Sequence, residues 1–367
     1  MSGFCISFNT SPDTLLSGTK EPWQKIRRRF PTDPLSALRR SSRKINEAVE
    51  RFGDGVPAHI AIVSEPLGGR TTIANEIRRL YGERVTYLPL KFVMSPSSLP
   101  DFSASPGDII LIDNCRLLAT RRIGGFDVLD AFLLALISSK KLFITTWNMY
   151  SWQYLSAVMN IEAYFSTVIV LARMDAPDLK QVIMSRYKPG EIRFINDGVA
   201  ERSMFFSLVH KQVRLPLKGA EVSIPWIKLN FTLMLRRLPR KKRIQISIED
   251  LIFEKINRIS RGNPGVAVHL WEASLEDNVI SLNAINETTY SINLDTSESF
   301  ILTIILSMKS LQEDDLIAIV GSEMDIRRVL YRLVCEGLVR NDDGYYSIPA
   351  FALEPVAEYL KKTRRLW

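Results

Sequence analysis

At 367 residues the chain exceeds one ordinary domain of roughly 150 residues, so two or three are expected. Its 46% hydrophobic and 24% charged residues exclude a disordered chain and allow a full buried core. A formal charge of +8 favours contact with nucleic acid or an anionic surface without requiring either.

Cys5, Cys115 and Cys335 stand far apart with no CxxC pair, and His59, His210 and His269 are scattered. Neither a disulfide framework nor a zinc site fits that spacing. The opening MSGFCISFNTSPDTLL lacks the basic end and apolar stretch of a secretion signal. The longest apolar runs, around Phe132–Ser138 and Phe300–Met308, are too short to span a bilayer. A soluble, cytoplasmic protein with no membrane insertion is expected.

Residues 1–33 read as an N-terminal arm carrying the basic run Lys25–Arg29. Pro34-Leu35 opens a helix to about Arg51, with Leu35, Leu38, Ile45 and Val49 near one face and Arg39, Arg40, Arg43 and Lys44 on another. Strands are expected at His59–Val63, Val85–Pro89, Asp108–Asp113, Leu142–Thr146 and Thr167–Leu171. Helices are expected between them, at Thr71–Leu80, Val128–Ser138, Trp152–Met159 and Pro177–Tyr187. Continuous apolar runs such as IILI and VIVL are the pattern of a parallel sheet buried on both faces, so residues 34–187 form an α/β core. Residues 188–277 read as an insertion and a helical lid. The stretch 188–245 is irregular and holds the cationic tract Arg236–Arg243; helices return at Ile248–Ile259 and Val266–Leu275. After a β-like linker at 278–295, residues 296–367 form a separate α+β unit. It has helices at Glu298–Met308, Gln312–Val320 and Met324–Glu336, then a hairpin turning at Asn341–Gly344, and a last helix, Pro355–Lys362. Three helices followed by a hairpin make a winged helix.

The segment IAIVSEPLGGRTTIANEI sets a Gly-rich turn between a buried strand and a helix, where backbone N–H groups and the helix N-terminus favour phosphate. Against the P-loop pattern GxxxxGK[ST], Gly69 and Thr71 match, Ser64 replaces the first Gly and Arg70 replaces the Lys. Gly68 adds freedom and Thr72 follows. GDIILIDN ends a strand on Asp113, the place of an acid that holds Mg²⁺, with Thr71 as its partner ligand. LFITTWN resembles the sensor 1 strand of AAA+ proteins, a resemblance that implies contact of Asn148, or of Thr145 or Thr146, with a γ-phosphate or attacking water. Ligands of open α/β sheets bind at such strand ends. ISRGNPGVAVHLW ends one helix at Gly262-Asn263 and starts another at Pro264.

In this order the elements resemble the AAA+ and STAND ATPases. That resemblance implies a P-loop NTPase core with a helical lid, ATP or ADP with Mg²⁺ as ligand, and a homo-oligomer. Asp113 and Asn148 would be the catalytic residues, and Ser64, Gly68, Gly69, Arg70, Thr71 and Thr72 the nucleotide-binding ones. The departures point away from hydrolysis. Arg70 is a planar fork where a compact ammonium is usual. Asn114 stands where many AAA+ proteins carry a water-polarising Glu. Gly265 stands where many carry the lid Arg; STAND-type proteins often do without it, so this departure separates the families more than it disables. Arg121, Arg122 and Arg173 are arginine-finger candidates by location only.

MDIRRVLYRLVCEGLVRNDDGYYSIP resembles the recognition helix and wing of a winged helix. Arg327, Arg328 and Arg332 share a helix face able to meet double-stranded DNA, while acidic neighbours leave a protein partner, or plain packing, as the alternatives. Two functions follow. One is a DNA-associated regulator or assembly factor, similar in layout to replication-initiator and transposition-targeting ATPases. The other is a nucleotide-controlled switch or pseudo-ATPase scaffold that does not contact DNA.

Overall fold

The computed structural model describes residues 36–366 except 57, 96–97, 103, 123, 196–205, 215–220, 230–246, 288–289 and 322. The basic run Lys25–Arg29 and the tract Arg236–Arg243 lie outside the described residues.

Helix α1 (Ser36–Gly53) leads into β1 (Ile60–Ser64), α2 (Arg70–Tyr81), β2 (Val85–Pro89), β3 (Ile109–Asp113), α3 (Asp127–Ser138), β4 (Leu142–Asn148), α4 (Met149–Met159) and β5 (Thr167–Val170). The five strands form one parallel sheet in the order β2-β3-β4-β1-β5. Side chains alternate between the two faces of a strand, and the expected core alternates with them. Ile60, Ile62, Ile109, Leu111 and Ile144 pack with Ile45 of α1 and Ile73 and Ile77 of α2. Ala61, Val63, Ile110, Ile112 and Phe143 join Leu129 and Phe132 of α3 on the other side. Both faces are therefore dry, which is why the strands read as unbroken apolar runs. Because β4 inserts between β1 and β3, their carboxyl ends bring Ser64, Asp113 and Asn148 to one edge of the sheet.

The lid comprises α5 (Ala176–Met184), α6 (Ile248–Ser260) and α7 (Pro264–Ser274), with β6 (Arg193–Ile195) pairing in parallel with β9 (Val279–Ser281). Its own core holds Leu179, Ile252, Ile256 and Trp271, with Phe253 stacked on Trp271 at 5.2 Å. The expectation of irregular chain over 188–245 is corrected. Besides β6, β7 (Phe206–Arg214) and β8 (Glu221–Leu229) pair as an antiparallel ribbon. Each strand pairs the backbone groups on its inner side with the other, a non-local pairing that a single-strand pattern interrupted by Pro225 does not reveal.

The C-terminal unit contains α8 (Thr296–Met308), β10 (Ser310–Gln312), α9 (Glu313–Val320), α10 (Ile326–Cys335), β11 (Arg340–Asp342), β12 (Tyr345–Ser347) and α11 (Ala350–Lys362). Its strands form an antiparallel sheet in the order β10-β12-β11. Helix α11 begins earlier than expected, at Ala350, and Pro355 lies inside it rather than at its start; one interior Pro forfeits a single backbone bond that packing offsets. Helix α8 is buried from Ile301 to Met308 and merges with the α3–α4 side of the sheet in one continuous core. Among the described residues no helix is long and apolar enough to cross a membrane.

Candidate functional site

The turn after β1 has the shape its glycines require. Gly69 sits at φ +93°, a left-handed conformation that costs Gly little, and α2 starts at the next residue. Gly68 is less a source of freedom than of closeness: a Cβ there would stand 2.8 Å from Ser64 Oγ and 2.9 Å from the Glu65 carbonyl. Arg70, first in α2, folds back beneath the loop and is 7% exposed. Its Nη1 donates to the Ser64 carbonyl, to Ser64 Oγ at 3.0 Å and to the Glu65 carbonyl at 3.1 Å. The loop thus turns three oxygens towards a cation. Burial lowers the Arg70 pKa to about 9, with the nearby Arg116 charge adding to the effect and Asp113 opposing it. Thr71 is exposed and Thr72 half-buried.

Asp113 ends β3 at 3% exposure. Thr146 Oγ1 and the Asn114 backbone N–H donate to its Oδ1, the latter at 3.0 Å, and Tyr87 Oη donates to its Oδ2 at 3.3 Å. Asn114 adopts φ +68°, a turn conformation Asn tolerates. Its Nδ2 donates to the Leu90 carbonyl at 3.3 Å and its Oδ1 accepts from Arg116 Nη1. The residue at the water-polarising position is held as a turn former.

Of the three polar candidates on β4, Thr146 faces the acid. Thr145 Oγ1 donates to the Ile60 carbonyl at 3.1 Å and accepts from Trp147 Nε1 at 2.8 Å. Asn148 lies opposite Ser64 in the β1–β4 register, but its side chain is committed elsewhere. Its Oδ1 caps α4 by accepting from the Tyr150 N–H at 3.0 Å, and its Nδ2 donates to the Leu306 carbonyl of α8 at 2.8 Å.

The lid presses on the same loop. Asn263 caps α7 and donates to the Pro66 carbonyl at 2.9 Å, while the Gly265 N–H donates to the Leu67 carbonyl at 3.1 Å. A Cβ at Gly265 would stand 2.5 Å from Leu67 Cβ, so no larger residue fits this contact unmoved. A cavity of about 210 Å³ remains, lined among others by Ser64, Glu65, Gly68, Arg173 and Asn263. Arg173 bridges Glu65 of the loop at 2.8 Å and Glu354 of α11 at 3.2 Å. Burial raises the Glu354 pKa and the Arg173 charge opposes that shift. Arg121 lies over the Tyr154 ring at 4.1 Å and donates to Ser307 Oγ at 3.3 Å, whereas Arg122 is exposed. Two of the three finger candidates therefore contact this chain's own C-terminal unit. Glu65, Tyr87, Arg116 and Glu354 carried no motif signal, since each gains its role from a partner distant in sequence.

On α10, Arg327 pairs with Glu313 at 2.6 Å. Arg332 pairs with Glu298, a carboxylate 3% exposed, at 2.7 Å and with Glu336 at 3.3 Å. Arg328 is exposed, as is Tyr331 at 73%. The described residues carry equal numbers of acidic and basic side chains, so the whole excess of +8 lies in segments outside them. Among the described residues no cluster of three or more His, Cys, Asp or Glu side chains is placed to hold a metal.

No family model matches the chain, and no curated protein matches it. Solved structures of related outline include the Thermotoga maritima RuvB Holliday junction branch migration motor, at 15% identity, 89% of this chain, 95% of that chain and a TM-score of 0.41. The Aeropyrum pernix ORC2 protein, in ADPNP–ADP complexes, is 10% identical over 92% of this chain and 97% of its own, with a TM-score of 0.41. Cdc6p from Pyrobaculum aerophilum is 12% identical over 91% and 96%, with a TM-score of 0.40. Likenesses this loose transfer neither residue roles nor activity. From its own strand order and loop, the chain has the fold of a P-loop α/β core with a helical lid, followed by a smaller α+β unit.

Proposed function

We propose that this protein is an AAA+-type P-loop module that has given up ATP hydrolysis and works as a scaffold or regulatory subunit, its C-terminal winged helix serving as a docking surface. The observation that carries this reading is the fate of Asn114: an amide that cannot take a proton, tied to Leu90 and Arg116. Arg70 supports it by filling the loop from within. A nucleotide's phosphates fit the first turn of α2, where helix N–H groups lack intrahelical partners, once Arg70 turns outwards. Arg70 and Thr71 would then hold ATP or ADP. Mg²⁺ fits less well, because Asp113 already accepts from Thr146, Tyr87 and Asn114. A bound nucleotide would stabilise the module, and the Asn114 amide offers no base for cleaving it.

Fluorescent ATP and ADP titration beside a steady-state turnover assay tests this. Binding without turnover is the expected result, tighter in Arg70→Lys by several-fold because the plug is shortened. Turnover at ordinary AAA+ rates that Asp113→Ala abolishes would overturn the reading.

DNA association is the second reading, favoured by one observation: the entire basic excess sits in segments that include Lys25–Arg29 and Arg236–Arg243. It requires duplex affinity that falls steeply with salt. Neutralising Arg236–Arg243 should weaken that affinity more than Arg327→Ala with Arg328→Ala, since Arg327 is already paired. Absence of duplex binding at low salt removes this reading.

A further inference from the structure

A concentration of buried polar groups lies where the sheet's carboxyl edge meets the end of α8. The last four carbonyls of any α-helix lack intrahelical partners. Here three consecutive ones each receive a donor from the core. Asn148 Nδ2 donates to the Leu306 carbonyl at 2.8 Å, Ser151 Oγ to the Ser307 carbonyl at 2.8 Å, and Arg116 Nε to the Met308 carbonyl at 2.7 Å. The donors come from three places, the turn after β3, the end of β4 and the first turn of α4, and all are buried. Arg116 also brings a positive charge to the negative end of a helix, a favourable pairing.

We infer that the edge of the sheet which a P-loop enzyme gives to phosphate and water is here a clasp, and that the C-terminal unit is a rigid arm of the core rather than a module that swings with nucleotide. Two costs oppose release. Undocking would exchange three hydrogen bonds, one of them from a charged guanidinium, for bonds to water, a net loss for each. It would also expose part of α8, in which Ile301, Leu302, Ile304, Ile305 and Leu306 are all buried, and so return apolar surface to water. Three donors matched to three successive carbonyls accept one seating of the helix, which fixes its position as well as its attachment. On the other flank, Glu354 and Glu358 of α11 grip Arg173 and Arg261. The clasp is independent of whether the P-loop takes a nucleotide.

Backbone hydrogen exchange on the full chain, alone and with saturating MgATP or MgADP, tests the inference. In the wild-type chain, α8 should exchange as slowly as β1 and β3 and show no acceleration on nucleotide addition. Asn148→Ser keeps an oxygen to cap α4 but removes the amide that reaches Leu306. It should speed α8 exchange about tenfold, the equivalent of one lost hydrogen bond at the strong end, and leave the lid helices unchanged. Ser151→Ala should give a smaller acceleration at the same peptides, and Ile256→Val, a lid-core control, none. Faster α8 exchange on adding nucleotide, or wild-type exchange in both Asn148→Ser and Ser151→Ala, would overturn the clasp. Should Asn148→Ser fail to fold, Ser151→Ala and the wild-type nucleotide comparison decide alone.

Discussion

The carboxyl edge of the sheet and the outer face of α10 both carry residues that motifs assign to ligands, yet they meet different fates. At the sheet edge, Arg70, Asp113, Asn114 and Asn148 are buried or half-buried, and each of these four side chains is turned to a partner within the chain. On α10, Arg328 and Tyr331 stay in solvent, and the ion pair of Arg327 is exposed and weak by nature. The lesson concerns dehydration. A polar group at a buried strand end must find a partner to be tolerated there, and a partner found inside the chain competes with the ligand the motif anticipates.

Five substitutions probe this contrast. The largest effect is expected from Arg116→Met, which removes the cation shared by the Met308 carbonyl and Asn114. Loss of a buried charged hydrogen bond together with two orphaned acceptors should cost about 3 kcal/mol in chemical denaturation. A loss below about 0.5 kcal/mol would show that the edge is not held by its polar partners. Gly265→Arg, which installs the lid arginine common in AAA+ proteins, meets Leu67 and should destabilise by about 2 kcal/mol without creating turnover. Gain of hydrolysis in that variant would mean the lid and loop separate freely.

Within α10 itself, Arg332→Ala leaves Glu298 buried without its cation. A loss of about 1–2 kcal/mol is expected, discounted because Arg332 is half exposed; Arg327→Ala, whose ion pair is exposed, should leave stability unchanged within measurement error. Equal effects would dissolve the distinction between the two arginines. The smallest effect concerns pH. The folded protein holds the Glu354 proton more tightly than the unfolded chain, because burial raises its pKa. Stability from this group is therefore full below the ordinary carboxylate range and declines as pH rises through the elevated folded value. Glu354→Gln should flatten that decline in melting temperature measured from acid to neutral pH.

Much of the fold was legible from local pattern. IAIVS and IILID read as buried strands, Gly69 marked the turn, and Asn263 with Pro264 marked a helix start that the structure keeps. Arg70 and Asn114 also stood out as departures from the P-loop pattern, though the partners that hold them did not. Pro355 misled because its ring suits a first turn equally well, and the deciding cap position belongs to Pro349. The ribbon β7–β8 was missed because each strand's partner, not its own composition, makes it a strand.

The sequence by itself determined which segments bury both faces and where helices start and turns need Gly or Asn, because side-chain period and backbone torsion act over a few residues. Only the tertiary structure decided that Asn148 reaches Leu306, that Arg173 spans Glu65 and Glu354, and that Gly265 yields to Leu67. Those outcomes depend on which distant group first meets a dehydrated donor or an open space, and no local periodicity encodes that meeting.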